Sequence, residues 1–471
     1  MRPLARRELL GLFAASALAG PAFGAGRRPN IVVIVADDLG YGDLGCHGGK
    51  DVATPNIDRL AVEGVRMTDF YANHPSCAPS RAAFLSGRYQ HRFGFENNPG
   101  AAQHDSPAVG LPRDHGGTIA ERLKAQGYAT CAVGKWHTGF TPENLPTGRG
   151  FDRFYGFIGG AMAYTADGPS GDKAVVRGTT PVPMPAHTTE AFTDEAVSFI
   201  KDSGRRPFFL YAAYNAVHAP LQSTQPYLAR IAPAADPKRR TYLAMLAALD
   251  DAVGRIVAAV DGAGLKDDTL VVFTSDNGGP TWQTTSANTP FNGVKGTMLE
   301  GGVRVPAIFR WPGRLPAGRV SNELTAGFDI TATALALAGA PRTPDLDGID
   351  LMPILTGRAR PAPRTLYWRL LPQGAIRSGE WKALFAEDRW WLFDLSKDPG
   401  ERNDLAAARP EVLARLKADW TKWSATMPPA AWGSLNRTGR AEPGELKGLI
   451  DGYVRGLPVD PRSLLYGGGA E

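Results

Sequence analysis

A chain of 471 residues, 43% hydrophobic and 21% charged, is long enough for a large buried core and too apolar to be a disordered polymer. Its net charge of +5 is spread thinly. Arg205-Arg206 and Lys238-Arg239-Arg240 are short surface clusters, so nothing argues for nucleic-acid binding, while the balance mildly favours anionic ligands.

The first 25 residues have a basic start (Arg2, Arg6, Arg7), an apolar core over 9–19 and a small-residue exit over 21–25. That pattern is a secretory signal peptide, too short to span a membrane. The Arg6-Arg7 pair favours twin-arginine export over an ordinary Sec signal. No other hydrophobic run is long enough to span a bilayer, so the expected product is exported, periplasmic or secreted. Its cysteines are Cys46, Cys77 and Cys131. An odd number in an exported chain flags at least one for chemistry, and a Cys46–Cys131 bridge stays open. No CxxC pair or Cys/His cluster has zinc-binding spacing.

Residues 29–36 form an unbroken β-branched run, the pattern of a buried parallel strand, and end in Asp37-Asp38. A helix opens near Pro55. In the stretch 74–88, Cys77 stands at the mouth of a second helix, with Pro79 suited to a first helical position and Gly87 to a stop. A sulfur at a helix N-terminus with Arg81 one turn on faces anions. Taken alone, the stretch reads better as a buried cysteine at a helix start, the usual place of a lone cysteine. A helix over 117–127 leads into a strand over 128–133, followed by Lys135, Trp136 and His137.

From 142 to 189 the chain is rich in Gly, Pro and aromatics with little periodicity, a long loop of the kind that is usually functional. Tyr155 and Tyr164, with Trp282 and Gln283, are candidates for a pocket wall or for plain packing. A helix over 190–201 precedes a strand over 207–214 that runs on to His218. An amphipathic helix over 242–260 precedes a strand over 269–275 that ends in Asp276-Asn277, and 305–311 and a helix over 329–338 follow. This alternation predicts an α/β domain over 26–355, with helices covering a large, mostly parallel sheet. Beyond it, short strands over 365–369, 375–385 and 389–395 and a helix over 410–427 predict a small antiparallel sheet plus helix. These make a C-terminal subdomain over 356–471, whose residues past 432 wrap the surface.

Ligands of open α/β sheets gather beyond the carboxyl ends of the strands. Asp37-Asp38, Lys135 with His137, His218 and Asp276-Asn277 all fall at such ends, and four polar strand ends are more than helix capping explains. Asp37, Asp38, Asp276 and Asn277 are hard oxygen donors, a set that selects Ca²⁺ or Mg²⁺ over zinc. Adjacent carboxylates also repel unless a cation lies between them. Lys135 and Lys295 can clamp an anion, and His137 and His218 can carry a proton near neutral pH. The glycines around Lys295 suit close backbone approach to a ligand but lack Walker spacing. His47, His74, His91, His104, His115 and His187 are read as structural.

Cys77-Ala78-Pro79-Ser80-Arg81, continuing to Leu85-Ser86-Gly87-Arg88, resembles the signature of the type I, formylglycine-dependent sulfatases. The stretch from Gly127 through Lys135 and His137 is similar to that family's second signature. Asp37-Asp38, Asp276-Asn277-Gly278-Gly279, Lys295-Gly296-Thr297 and the closing turn over 392–405 match as well. Ser86 stands where threonine is commoner, which keeps the hydroxyl. The resemblance implies an alkaline phosphatase-like fold and a sulfuric ester hydrolase. It implies that a separate, oxygen-using formylglycine-generating enzyme oxidises Cys77 to formylglycine (3-oxoalanine), and that twin-arginine export would follow that step. It also implies a Ca²⁺ ion (or Mg²⁺) held by Asp37, Asp38, Asp276, Asn277 and the residue derived from Cys77.

The roles it implies are these. Arg81 and Lys135 hold the formylglycine diol, and Lys295 and His218 hold the sulfate. His218 or Lys295 protonates the leaving alcohol, and His137 takes the proton that lets sulfate be eliminated. The expected substrate is an organic sulfate ester, a carbohydrate sulfate ahead of an aryl sulfate by fold-level analogy. Two other readings compete: a phosphate or phosphonate ester hydrolase of the same superfamily, and a catalytically idle binding protein with Cys77 left as a thiol.

Overall fold

Ten strands form the main sheet of the computed structural model, which describes residues 28–462 apart from 101–104, 107–108, 112, 114–115, 169–173, 234–235, 342, 361 and 434–441. The signal-peptide reading of residues 1–25, and His104 and His115, lie outside the described residues. In chain order the strands are β1 (Asn30–Ala36), β2 (Val65–Met67), β3 (Phe70–Tyr71), β4 (Ala129–Lys135), β5 (Arg153–Phe157), β6 (Val175–Arg177), β7 (Thr180–Val182) and β8 (Phe208–Ala213). Then come β9 (Thr269–Ser275), β10 (Ala307–Arg310), β11 (Arg319–Ser321) and β12 (Thr325–Ala326). The spatial order is β11-β2-β10-β9-β1-β8-β4-β5-β6-β7, with β3 and β12 paired apart.

The strands β9, β1, β8, β4 and β5 run parallel, and Val32 of β1 sits between Leu210 and Val271. Both faces of this centre are covered. Val32 and Ile34 pack into one apolar layer with the Thr188–Asp202 and Pro237–Gly262 helices. Ile31, Val33 and Val35 pack into another with the Cys77–Ser86, Ile119–Ala125 and Gly327–Leu337 helices. A strand buried on both sides reads as a continuous apolar run, which is why the central strands were visible in the sequence.

Five local expectations need correction. The Pro237–Gly262 helix is not amphipathic along its middle, because residues 242–249 are all buried between the sheet and the Thr188–Asp202 helix. The region 142–189 is not one long loop: it carries β5, parallel to β4, and the antiparallel strands β6 and β7 at the sheet's edge. Pro79 is third in the Cys77–Ser86 helix, a place still inside the first turn, where the missing N–H has no intrahelical partner to lose. The stretch 375–385 is two strands, because Gly379 turns the chain at φ 60°. Finally, the segment beyond 432 does more than wrap the surface. Its Glu445–Arg455 helix buries Leu446, Leu449, Ile450 and Val454 in a core.

The second sheet is antiparallel, in the order β13 (Thr365–Leu370), β14 (Gln373–Ser378), β15 (Trp381–Ala386) and β16 (Arg389–Asp394). One face packs on Leu416 and Trp420 of the Pro410–Ser424 helix, and the other joins Met298, Leu299 and Phe328 of the main body. At that junction Lys382 reaches Glu300 at 2.8 Å and Glu401 at 2.9 Å, all three fully buried. The fold is therefore a large mixed, mostly parallel sheet flanked by helices, with a small C-terminal antiparallel sheet. Cys46, Cys77 and Cys131 are free thiols, so no Cys46–Cys131 bridge forms. Among the described residues, no helix is long and apolar enough to cross a membrane.

Candidate active site

The four polar strand ends meet because their strands are neighbours. β9, β1, β8 and β4 lie side by side and point the same way, so Asp276-Asn277, Asp37-Asp38, His218 and Lys135-Trp136-His137 leave one edge of the sheet together. The Cys77–Ser86 helix starts at the same edge. Ser76 precedes it in an extended conformation, and Gly87, at φ 74°, closes it with bonds to Ala83 and Phe84. Cys77 Sγ lies 3.4 Å from Asp37 Oδ1 and 3.9 Å from Asp38 Oδ1.

Each acidic side chain meets a basic one. Lys135 Nζ donates to Asp37 Oδ2 at 2.6 Å, and Lys295 Nζ donates to Asp38 Oδ2 at 2.8 Å. Arg81 donates to Asp276 Oδ2 from Nε at 2.9 Å, and also donates to the Lys135 carbonyl at 3.2 Å. Asn277 Nδ2 donates to Asp38 Oδ1 at 2.7 Å. His218 Nε2 stands 3.4 Å from Asp38 Oδ2, while its Nδ1 lies 2.5 Å from the Ala219 carbonyl. All the candidate residues are buried except His218, whose side chain keeps 14% of its surface exposed and so marks the open side. Asp38 (φ 62°) and His137 (φ 59°) both adopt left-handed backbone. Such strain clusters where surrounding structure fixes a functional side chain.

The sequence profile of the family described as Sulfatase matches residues 29–340, and that of N-sulphoglucosamine sulphohydrolase, C-terminal, matches 294–424. Arylsulfatase A of Homo sapiens is 37% identical, over 88% of this chain and 89% of its own. N-acetylgalactosamine-6-sulfatase of Canis lupus familiaris is 34% identical, over 84% and 85%. The chain belongs to the sulfatase family. It is a sulfuric ester hydrolase. Among solved structures, Ps i-CgsB in complex with k-i-k-neocarrahexaose superposes with a TM-score of 0.81 at 35% identity, covering 92% of this chain and 98% of the other.

Within this sulfatase, burial and the neighbouring Asp37 carboxylate push the Cys77 thiol well above the ordinary cysteine range. Cys77 is thus a neutral thiol, and its anion-facing helix N-terminus does not make it a thiolate nucleophile. Burial raises the affinity of Asp37 for a proton, but Lys135, His218 and Arg81 outweigh it and hold the carboxylate ionised. For Asp38, burial is likewise overcome, by Lys295 and His218. Asp276 is pushed up by burial and by Asp37. His137 is driven well below the usual imidazole range by burial and then by Lys135 and Arg81, so it is neutral and able to accept a proton. His218 is lowered by burial, against the pull of Asp38.

The residues fit a divalent cation, though not for the reason that carboxylate repulsion suggests. Arg81, Lys135 and Lys295 already face Asp276, Asp37 and Asp38, so side-chain cations offset that repulsion. The telling observation is Asn277 Oδ1, a buried amide oxygen with no hydrogen-bond partner. An unpaired buried acceptor costs about 1–3 kcal/mol, and beside three carboxylates it is a hard-oxygen donor set. Among the described residues, Asp37, Asp38, Cys77 and His218 each offer a potential ligand atom, and these atoms all lie within 4.8 Å of one another.

The sequence reading missed the roles of Tyr164, Asn215 and Gly160. Tyr164 is not a pocket wall: it is buried, and its hydroxyl donates to the Asn215 and His218 carbonyls, bracing the His218 loop. Tyr155 is also buried in packing. Asn215 has a buried amide with neither atom partnered. Gly160 covers the His137 ring. Of the structural histidines, His74 and His91 are buried and kept neutral by burial, as that reading requires.

Proposed function

We propose that this sulfatase removes sulfate from a carbohydrate sulfate through a formylglycine made from Cys77. The observation that carries the reading is the place of the buried Cys77 sulfur, 3.4 Å from Asp37 and grouped with Asp38 and His218, where Lys135 and Lys295 pair with the two carboxylates. A protonated, buried thiol is a poor nucleophile, whereas the ring of cations around it suits an anionic sulfuryl group. The preference for a saccharide draws on relatives: one acts, by its name, on N-acetylgalactosamine-6-sulfate, and another was solved with a neocarrahexaose.

A formylglycine here supplies, as its hydrate, one hydroxyl to attack sulfur and a second through which the site is restored. Asp37, Asp38, Asp276 and Asn277 would hold Ca²⁺ or Mg²⁺, which supplies positive charge to the sulfuryl oxygens. The chain's own groups do the rest. Arg81 and Lys135 fix the residue at 77, and Lys295 and His218 hold the sulfate. His218, at the open side, is placed to protonate the departing alcohol, and neutral His137 accepts a proton from the nucleophile's second hydroxyl. We assign residues 1–25 to export, 26–355 to catalysis and 356–471 to a C-terminal subdomain. The maturation partner is a formylglycine-generating enzyme.

The test is peptide mass spectrometry of the Cys77 peptide from protein made with that enzyme, alongside sulfate release from sulfated saccharides, an aryl sulfate and an aryl phosphate. Conversion of Cys77 with faster release from sulfates is the expected result. An unmodified thiol with no sulfate release would overturn it, and a faster phosphate rate would point to a phosphoesterase.

A further inference from the structure

Ser76 stands at the N-cap of the Cys77–Ser86 helix, where a serine ordinarily turns its hydroxyl onto the backbone N–H of the second or third helical residue. Here neither is open to it. The third residue, Pro79, has no N–H, and the N–H of the second, Ala78, donates to Asn98 Oδ1 at 3.0 Å. The Ser76 hydroxyl makes no cap bond and instead meets His74 Nδ1 at 2.8 Å. His74 Nδ1 also accepts from the Ser76 backbone N–H, at 3.2 Å. A backbone N–H can only donate, so Nδ1 is the bare nitrogen of the ring, and the imidazole proton sits on Nε2. Burial brings the His74 pKa down to about 3, which keeps the ring in that neutral form.

His74, Pro75 and Ser76 thus make a closed turn, in which a side-chain acceptor holds the N–H two residues on. All three residues are buried. Pro75 is pinned separately: its ring fixes φ, and its carbonyl accepts from the Gly296 N–H at 2.8 Å. The backbone freedom left before Cys77 therefore lies in Ser76, which is the residue that His74 holds. From Ser76, at φ −143° and ψ 158°, the chain enters the helix with Cys77 Sγ 3.4 Å from Asp37 Oδ1.

We infer that His74 is a positioning residue. By holding both the N–H and the hydroxyl of Ser76, it fixes the direction in which residue 77 enters the helix, and so where the nucleophile stands. The inference rests on the reading that a formylglycine at 77 attacks sulfur. His74 acts through Ser76 and not on the substrate. Its loss therefore falls on kcat, because sulfate is held by Lys295 and His218, while attack depends on the exact placing of the reacting atoms.

The test compares native protein with His74→Asn, His74→Gln and Ser76→Ala, each made with the formylglycine-generating enzyme. The substrates are 4-nitrophenyl sulfate and a panel of sulfated saccharides, and kcat is expressed per formylglycine counted by peptide mass spectrometry. An asparagine amide oxygen falls where Nδ1 stands and closes the same side-chain turn, whereas a glutamine reaches past it. His74→Gln is expected to lower kcat about tenfold with KM little changed, and His74→Asn to restore it to within about threefold of native. Ser76→Ala, which removes only the hydroxyl, should lower kcat about threefold with the melting temperature held, and should cost nothing further when added to His74→Gln. Native kcat in His74→Gln, equal losses in His74→Gln and His74→Asn, or native kcat in Ser76→Ala overturns the positioning role while leaving the sulfatase intact. Should His74→Gln not fold, Ser76→Ala alone decides. An unmodified Cys77 in active native protein, or no sulfate release from native protein that carries formylglycine, instead overturns the reading on which the inference rests.

Discussion

A Cβ placed on Gly160 would lie 2.9 Å from both Cε1 and Nε2 of His137. The imidazole cannot easily move aside, because His137 is buried, holds a left-handed backbone and donates its N–H to the Ile158 carbonyl at 3.0 Å. Gly160 therefore sets where the proposed base stands. Gly160→Ala is expected to lower kcat by at least tenfold, since a misplacement near 1 Å can cost about 100-fold. Conversion of Cys77 should be unchanged, as measured by mass spectrometry. A variant with native kcat would show that His137 is not the base or is not held by this contact.

Cys77→Ala is expected to abolish turnover and leave the fold intact. The side chain lost is a single sulfur whose contacts are to carboxylates already paired with Lys135 and Lys295. Circular dichroism and thermal melting should match the native protein within a few degrees, while sulfate release falls to background. Near-native release would exclude any mechanism running through residue 77.

How much of this was legible without coordinates depends on the element. β1, β8 and β9 could be read because burial on both faces leaves an unbroken apolar run, and their polar ends named the site. β6 and β7 could not, since three-residue edge strands carry too few positions for an alternation to show. The Glu445–Arg455 helix hid differently. Leu446, Leu449, Ile450 and Val454 keep helical spacing, but Gly448 and Gly452 made the stretch look like a tail. Within the site, residue types were legible and partners were not. That Lys295 faces Asp38, or that Gly160 covers His137, depends on loops whose paths no local pattern encodes.

Asn277 Oδ1 lacks a partner, which leads to a prediction for the metal. Adding Ca²⁺ to chelator-treated protein should raise its melting temperature, because a ligand that binds only the folded state stabilises it, by about 2.7 kcal/mol at 100 times Kd. Asn277→Leu should shrink that rise markedly. An equal calcium-dependent rise in native and variant protein would place the ion elsewhere. If Mg²⁺ gives the larger rise, the smaller ion is the resident one.

The Lys382 junction supplies a pH prediction away from the active site. One lysine faces two buried carboxylates. Burial works against the charge of Glu300, but Lys382, Arg304 and Arg377 outweigh it and bring its pKa down to about 2. Burial and the nearby Glu300 charge push Glu401 up to about 7, against the attraction of Lys382. The signs are opposite. Glu300 stabilises the fold above its unfolded value near 4.5, and that contribution is lost as pH falls toward 2. Glu401 favours the fold in its protonated form, so its contribution is complete below 4.5 and is lost as pH rises through 7. Glu401→Gln mimics the protonated state. Its stability relative to native should be close to equal at pH 5 and higher at pH 8, by on the order of 1–3 kcal/mol. Urea unfolding at the two pH values measures this difference directly. An identical offset at both would mean that Glu401 does not titrate between them, and that Lys382 neutralises both carboxylates at once.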